Sequence, residues 1–296
     1  SCALKLAMPI AVLSAMRESA QFHISVKGGR FLENMAKADT IVFDKTGTLT
    51  YATPTVAQIV PFGGRSAPEM LRLAACLEEH YPHSIANAVV AEAKKRGLDH
   101  QEYHSQVQYI VAHGISSMVD GHKVIIGSAH FVFEDEHCVV PEEERDRFDA
   151  LDPSYSHLYL CIGGSLAAVL CISDPLRAEA PEAIKALHDC GITNVVMMTG
   201  DNHRTAQAVA KAVGVDEVHA EVLPEDKADF IRQAREQGHV VIMVGDGVND
   251  SPALSEADVG IAISTGAAIA QEIADITVSS EDLMALVTLG KLSCAL

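Results

Sequence analysis

The chain has 296 residues, of which 48% are hydrophobic and 21% charged, and its formal net charge is −18. This length allows two domains with separate cores. The 22 Lys and Arg residues form no basic cluster, so we expect no nucleic-acid partner. The seven cysteines include no C-x-x-C pair and there is no H-E-x-x-H motif. A disulfide framework and a zinc site are therefore disfavoured, and a reducing, cytosolic environment is favoured.

An apolar stretch opens the sequence and extends to Met16. It is shorter than the roughly 20 uninterrupted apolar residues that span a bilayer, and it contains Lys5 and Pro9. It also lacks the basic start and cleavage site of a signal peptide. Both a severed membrane helix and an amphipathic surface helix fit this pattern.

Short β-branched runs separated by helical segments predict a doubly wound α/β layer with parallel strands buried on both faces. The helical segments each end at a glycine, which is a common helix stop. The predicted strands are 40–43, 194–198 and 239–244, and the predicted helices are 181–190, 202–213 and 224–237.

The middle of the chain, from about residue 55 to 170, predicts an inserted α+β domain with an antiparallel sheet. A capping-box signature at Ser66 starts a helix that runs to about Glu79, and a second helix is expected over 84–96. Two pairs of strands follow, joined by the turn signals Asp120-Gly121 and Gly163-Gly164.

Carboxylates and hydroxyls follow the predicted parallel strands where each strand ends. Asp44 begins the run D-K-T-G-T-L-T, Thr199 begins T-G-D-N, and Asp246 and Asp250 belong to G-D-G-V-N-D. Ligands of open α/β sheets bind at the carboxyl ends of the strands, so we expect these side chains to converge. Carboxylates that converge raise one another's pKa unless a cation lies among them, and oxygen ligands near phosphate chemistry favour Mg²⁺.

The pattern predicts a phosphoryl-transfer site in which Asp44 is the nucleophile. Asp246 is expected to be the main magnesium ligand, with Asp250 second and the Thr46 carbonyl third. Lys227 would supply a fixed positive charge to the transition state.

Hydrogen bonds to the phosphoryl oxygens are expected from Thr46, Gly47 and Thr199. Two simpler interpretations stay open at this point: Asp201 could only cap the helix that follows it, and Lys227 taken alone could be a solvated helix lysine.

These motifs resemble, in order, those of the catalytic part of P-type ATPases. The phosphorylation loop corresponds to residues 44–48, and Asp174-Pro175, T-G-D-N at 199–202 and G-D-G-V-N-D-S-P at 245–252 match the other motifs. The resemblance covers about residues 1–290. It implies a haloacid-dehalogenase-like phosphorylation domain (21–54 and 171–290) with an inserted nucleotide-binding domain (55–170), ATP as substrate and Mg²⁺ as cofactor. Catalytic roles would fall to Asp44, Lys227, Thr199 and Asp201.

The short insert is similar to that of the heavy-metal-transporting branch. The branch's His-Pro dipeptide aligns with His83, where Ser84 replaces the proline; a second register uses His80 and Pro82. The glycine-rich loop corresponds to residues 112–114, where Ala112 replaces the first glycine. The resemblance implies that Glu79, His83, Gly114 and Gly127 surround the nucleotide.

In this family a metal-binding cysteine dipeptide on a membrane helix precedes a segment that resembles K-G-G-R-F-L-E at residues 27–33, and Ser1-Cys2 lies at the position of that dipeptide. The resemblance therefore implies that 1–20 is the end of a severed membrane helix, that Cys2 lies in the ion path of the full-length pump, and that 291–296 begins the next membrane-proximal segment. The actuator and membrane domains would be its partners, the transported ion a transition metal, and the protein a multi-pass membrane protein whose present segment faces the cytoplasm.

Two other functions remain open from the sequence. A free-standing phosphatase of the same fold usually carries a second Asp two residues after the nucleophile, where this chain has Thr46. A non-catalytic nucleotide-binding module would not need the set formed by Asp44, Lys227, Asp246 and Asp250.

Overall fold

A computed structural model describes residues 2–81, 83–98, 104–110, 114–247, 250–263, 272–279 and 282–295, and the side chains of these residues apart from 2–9 and 104–110. The chain divides into two compact units. The first comprises residues 1–51, 176–199 and 209–296, and the second comprises 52–175 and 200–208.

A mostly parallel sheet forms the centre of the first unit, as predicted. Within the described residues it has seven strands in the order β1-β13-β12-β11-β2-β9-β10, and the pairing is parallel except between β1 and β13. Its strands are β1 (Ile24–Val26), β2 (Thr40–Asp44), β9 (Asn194–Met198), β10 (Glu217–His219), β11 (Val241–Gly245), β12 (Val259–Ile263) and β13 (Ile276–Val278).

Helices cover this sheet and bury its apolar residues. Strands β2 and β11 are buried at every residue, which explains their continuous apolar sequence. The helices are α1 (Cys2–Gln21), α2 (Gly29–Lys37), α6 (Ala180–Asp189), α7 (His203–Val213), α8 (Pro224–Glu236), α9 (Ser251–Glu256) and α10 (Met284–Cys294).

The second unit contains the predicted antiparallel sheet. Its strand order is β3-β8-β7-β6-β5-β4. The two expected hairpins are present, and the turn residues Asp120, Gly121, Gly163 and Gly164 all have positive φ, as tight hairpin turns require. Its elements are β3 (Thr55–Pro61), α3 (Ala67–Glu78), α4 (Ser84–Lys95), β4 (His104–Ile110), β5 (Gly114–Val119), β6 (His122–Gly127), α5 (Arg145–Asp149), β7 (Ser156–Ile162) and β8 (Ser165–Ser173).

Among residues 10–21, the part of α1 whose side chains the structure describes, the packing residues include Ala15 and Ser19. Ala15 is buried in the core of the first unit, and Ser19 is buried and donates to the Ala15 carbonyl at 2.8 Å. Ile10 and Leu13 are each 64% exposed. Across the part of the chain that the structure describes, no helix combines the length and the apolarity needed to cross a membrane.

Candidate active site

Asp44 ends β2, the strand at which the connections of the parallel sheet change direction. The chain then turns at residues 45–49, where Thr46 and Gly47 have non-helical backbone angles; Gly47 has φ of +78° and its N–H donates to Thr50 Oγ1 at 2.9 Å. Only glycine adopts this φ without strain, which explains the glycine of the D-K-T-G-T run. The turn aims Asp44 outward from the carboxyl edge of the sheet, as the motif predicted.

Lys227 joins two carboxylates at this edge. Its Nζ donates to Asp44 Oδ1 at 2.7 Å and to Asp250 Oδ1 at 2.8 Å. Lys227 lies in the first turn of α8 and is only 7% exposed, while Asp44 is 8% and Asp250 is 1% exposed. The interpretation of Lys227 as a solvated helix lysine is therefore wrong.

The electrostatic balance at Asp44 is unfavourable to its charged form. Burial, together with the carboxylates of Asp250 and Asp246, raises the pKa of Asp44 to about 7 against the opposing effect of Lys227. In the other direction, the two carboxylates raise the pKa of Lys227 in spite of its burial. One lysine thus does not neutralise the acidic groups gathered here, and a second cation would hold Asp44 ionised.

Asp250 shows where such a cation fits. Its Oδ1 is held by Lys227, but its Oδ2 is buried and has no hydrogen-bond partner among the described residues. A Cβ on Gly245 would meet that Oδ2 at 2.4 Å, so glycine is needed for the carboxylate to lie against the end of β11. A buried carboxylate oxygen without a donor is the ligand that Mg²⁺ prefers. The residues at this edge therefore fit a magnesium ion.

Strand register places the remaining predicted residues of the first unit at the same edge. Asp44 pairs with Met198, and Thr199 is the next residue after Met198. On the other side, Phe43 pairs with Val244, so Gly245 is level with Asp44 and Asp246 is the next residue. Thr199 is buried, and Asp246 is close enough to raise the pKa of Asp44.

Arg177 supports the catalytic turn, and sequence reasoning did not identify it. Its Nε donates to the Thr48 carbonyl at 2.8 Å, its own N–H donates to the Leu49 carbonyl at 2.8 Å, and it is 6% exposed. The signal was available, because Arg177 follows two residues after the Asp174-Pro175 pair.

Asp201 is not the cap of the helix that follows it. Asn202 takes that place, since its Oδ1 accepts the Thr205 N–H at 3.0 Å. Asn202 also donates to His157 Nδ1 at 3.0 Å and to Tyr159 Oη at 3.1 Å, both on β7. Asp201 lies near the same imidazole and raises the pKa of His157, which burial lowers more strongly.

His83 caps α4 in the second unit. Its Nδ1 accepts the Ala86 N–H at 3.3 Å, which places the ring proton on Nε2, 3.3 Å from Glu78 Oε2. Glu78 is 2% exposed, whereas Glu79 is exposed at the end of α3. The structure thus brings Glu78 to His83, a residue that the sequence analysis missed in favour of its neighbour Glu79.

Gly114 and Gly127 are direct partners in the pairing of β5 with β6. A Cβ on Gly114 would lie 2.4 Å from the Phe131 ring and 2.5 Å from the Ile126 carbonyl oxygen, so this position accepts no side chain. The other loop positions named from the sequence, Pro82, Ala112, Val248 and Asn249, and the Cys2 side chain, lie outside the described part of the chain.

Comparison with known proteins decides the family. The sequence pattern of the haloacid dehalogenase-like hydrolases matches residues 38–258, three quarters of the chain. The chain belongs to the haloacid dehalogenase-like hydrolases. Strands β2, β9, β10 and β11 and the catalytic turn that follows Asp44 lie within the matched range.

Relatives confirm the resemblance to heavy-metal P-type ATPases. The chain is 42% identical over 286 residues to the copper-transporting ATPase 1 of Rhizobium meliloti and 39% identical over 286 residues to a silver exporting P-type ATPase of Salmonella typhimurium. Each alignment covers 96% of this chain and 34% of the relative, so the chain spans about a third of their length.

A solved catalytic domain of a CPx-ATPase has a similar structure. The TM-score is 0.74 at 28% identity, and the match covers 93% of this chain and 98% of that one. The fold class predicted from the sequence, a haloacid-dehalogenase-like sheet with an inserted α+β domain, agrees with this likeness.

Proposed function

We propose that this chain is the catalytic part of an ATP-driven heavy-metal pump, in which ATP phosphorylates Asp44 with Mg²⁺ as cofactor. The observation that supports it most is the pair of hydrogen bonds from Lys227 to Asp44 and Asp250 at the carboxyl edge of the sheet. A buried lysine between two carboxylates is costly unless it serves chemistry or is fully paired.

The proposed step is an in-line transfer. Asp44 Oδ1 stays bonded to Lys227, and the other carboxylate oxygen attacks the γ-phosphorus of ATP. The bond from that phosphorus to the bridging oxygen breaks, ADP leaves, and an aspartyl-phosphate forms. Lys227 and the backbone N–H groups of the catalytic turn then face the charge that develops on the phosphoryl oxygens, which is the main source of catalysis in this reaction class.

Magnesium would be held by Asp44, Asp246, Asp250 and the Thr46 carbonyl. When bound, it neutralises charge on the phosphate and on the carboxylates. Thr199 would donate a hydrogen bond to a phosphoryl oxygen. Asp201, in the same T-G-D-N loop, would also have a catalytic role.

We assign ATP binding to the second unit. His83, Gly114 and Gly127 form the proposed nucleotide site, with Glu78 added because its buried Oε2 lies 3.3 Å from His83 Nε2. Glu79, which the sequence favoured, remains a weaker candidate because it is exposed.

Transport of a soft transition-metal ion is proposed from the relatives, whose names specify copper and silver. The membrane domains would carry the ion path, in which Cys2 is the proposed ligand because thiolates suit soft cations. In this proposal the full-length protein is a multi-pass membrane protein, residues 1–20 and 291–296 adjoin its membrane helices, and the actuator domain is a further partner.

ATP hydrolysis by the full-length protein, measured with a panel of metal ions, tests the proposal. We expect Cu⁺ or Ag⁺ to stimulate the wild type and none to stimulate Asp44→Asn or Cys2→Ala, with ATP binding retained in both. Metal-independent hydrolysis of small phosphate esters at a comparable rate would support the free-standing phosphatase instead. That outcome is disfavoured by Thr46, because threonine cannot replace a carboxylic acid as the general acid.

A further inference from the structure

We infer that Cys190 and Cys294 form a surface dithiol site for a soft monovalent cation such as Cu⁺ or Ag⁺. Both residues lie in the first unit, away from the carboxyl edge that carries Asp44. The inference is independent of the proposed function, because it rests on the position of two thiols and not on the phosphoryl-transfer site.

The two cysteines come from helix ends that pack together. Cys190 caps the C-terminus of α6, and Cys294 is the last residue of α10. Cys294 Sγ lies 4.0 Å from the Cys190 carbonyl oxygen. One turn before Cys294 on the same face, Gly290 leaves space beside Cys190, since a Cβ there would lie 4.0 Å from Cys190 Sγ. The Cys190 side chain therefore lies beside the last turn of α10, close to Cys294.

Both thiols are free and reachable from solvent. Cys294 is exposed and Cys190 is partly exposed, and neither is in a disulfide. Burial and then the nearby Cys294 thiol raise the pKa of Cys190, while Lys291 in the last turn of α10 lowers it. A bound cation would offset the electrostatic repulsion between two neighbouring thiolates. The positive charge of Lys291 would balance the negative charge that remains on the complex.

The number of donors selects the class of metal. Among the described residues, no third His, Cys, Asp or Glu joins Cys190 and Cys294 in a group with the arrangement of a metal site. Zinc prefers four such ligands, whereas soft thiolates select Cu⁺, for which two sulfurs complete a linear site. On binding, two thiols release two protons and the cation joins both sulfurs, which leaves a complex with one negative charge.

A second pair of thiols serves as the matched control. Cys138 and Cys161 both lie in the core of the second unit, where both are buried. Burial raises the pKa of each thiol, so both stay protonated and out of reach of a metal ion.

Silver binding to this chain tests the inference, with Cys2→Ser in every variant to remove a further thiol. Affinity is measured by competition with a chromophoric silver chelator. We expect Cys190→Ser and Cys294→Ser each to weaken Ag⁺ binding by about 100-fold or more, because each removes the second, tethered ligand. The loss of binding free energy in the double variant should not exceed the two single losses added together. Cys138→Ala should change the affinity less than threefold.

Single variants that keep the affinity within threefold would overturn the inference. Phenylarsine oxide gives a readout that needs no substitution at either position. It loses its oxygen as water when its arsenic joins two sulfurs, and peptide mapping should locate the bridge at Cys190 and Cys294. A bridge elsewhere, or adducts on single thiols only, would refute the shared site.

Discussion

Lys227, in the first turn of α8, donates hydrogen bonds to Asp44 and to Asp250. Its position in a first helical turn was predictable, but its burial and its two carboxylate partners depend on residues 183 and 23 positions away. The D-K-T-G-T and G-D-G-V-N-D motifs predicted Asp44 and Asp250 because each follows a buried strand directly. A single lysine in a helix has no such neighbour in sequence, and only its place in a first helical turn between two motif-bearing strands made it a candidate.

The pKa of Asp44 predicts how stability depends on pH. Because the folded-state pKa is raised to about 7 from an ordinary 3.8, the stabilising contribution of the protonated form is complete below about pH 4 and is lost as pH rises through about 7. Without Mg²⁺, the free energy of unfolding of the wild type should be lower at pH 8 than at pH 5. The difference should be on the order of a few kcal/mol, because each pKa unit corresponds to about 1.4 kcal/mol.

Urea unfolding at these two pH values, with EDTA and with Mg²⁺, measures the effect. Mg²⁺ should restore stability at pH 8, and Asp44→Asn should lose most of the pH dependence. An Asp44→Asn variant with the same pH dependence as the wild type would show that other groups cause it.

Substitutions of Asp246 and Asp201 should have different effects on the affinity for Mg²⁺. Asp246 is close enough to raise the pKa of Asp44, whereas Asp201 lies beside His157. Asp246→Ala should therefore weaken Mg²⁺ binding at least tenfold, about the 1.4 kcal/mol of one lost charged contact, and Asp201→Ala should weaken it much less. Calorimetric titration gives both values, and equal losses would contradict the assignment.

At the scale of elements, helix boundaries were largely predictable and short strands were not. Glycines at 191, 214 and 238 end three helices within two residues of the expected position. Three strands have only three residues each and pair with strands distant in sequence, so no local sequence pattern predicts them: β1, β10 and β13. Glu78 was missed for a related reason, since its contact with His83 crosses the end of α3.

The N-terminus of α4 allows capping to be separated from nucleotide binding. His83→Asn preserves a side chain that caps a helix, whereas His83→Ala removes it at a cost of about 1 kcal/mol in stability. Both should weaken ATP binding about tenfold, since each removes the Nε2 donor, worth roughly 1.4 kcal/mol.

Thermal unfolding and ATP titration of the two variants measure these effects. His80→Ala is the control, because His80 is exposed and belongs to the alternative register. A larger loss of ATP affinity in His80→Ala than in His83→Ala would favour that register.

At the scale of the whole chain, the apolar cores of the two units are built from different ranges of the sequence. The two clusters of the second unit draw their buried residues from 56–172 only, and the two large clusters of the first unit draw none from that range. The insertion of one domain in another was predictable because the residue pattern changes from parallel-strand runs to hairpin signals. The grouping of 200–208 with the second unit was not, since it depends on contacts of Asn202 and Thr205 with residues far away in sequence.

Excision of residues 52–175 tests this division. Because its cores are complete, the segment should unfold cooperatively by itself and bind ATP weakly, with Kd of about 1 mM. NMR shift changes on adding ATP should include His83, Gly114 and Gly127. Shift changes confined to other residues would contradict the proposed nucleotide site.

Phosphorylation of Asp44 is the central claim, and acid-trapped phosphoenzyme tests it most directly. The full-length protein is incubated with γ-labelled ATP, Mg²⁺ and Cu⁺ or Ag⁺, quenched in acid, and the labelled peptide is mapped. The account predicts an acid-stable, hydroxylamine-sensitive label on Asp44 alone, absent in Asp44→Asn and abolished by EDTA. A label of the same kind that persists in Asp44→Asn, or that maps to another residue, would contradict it.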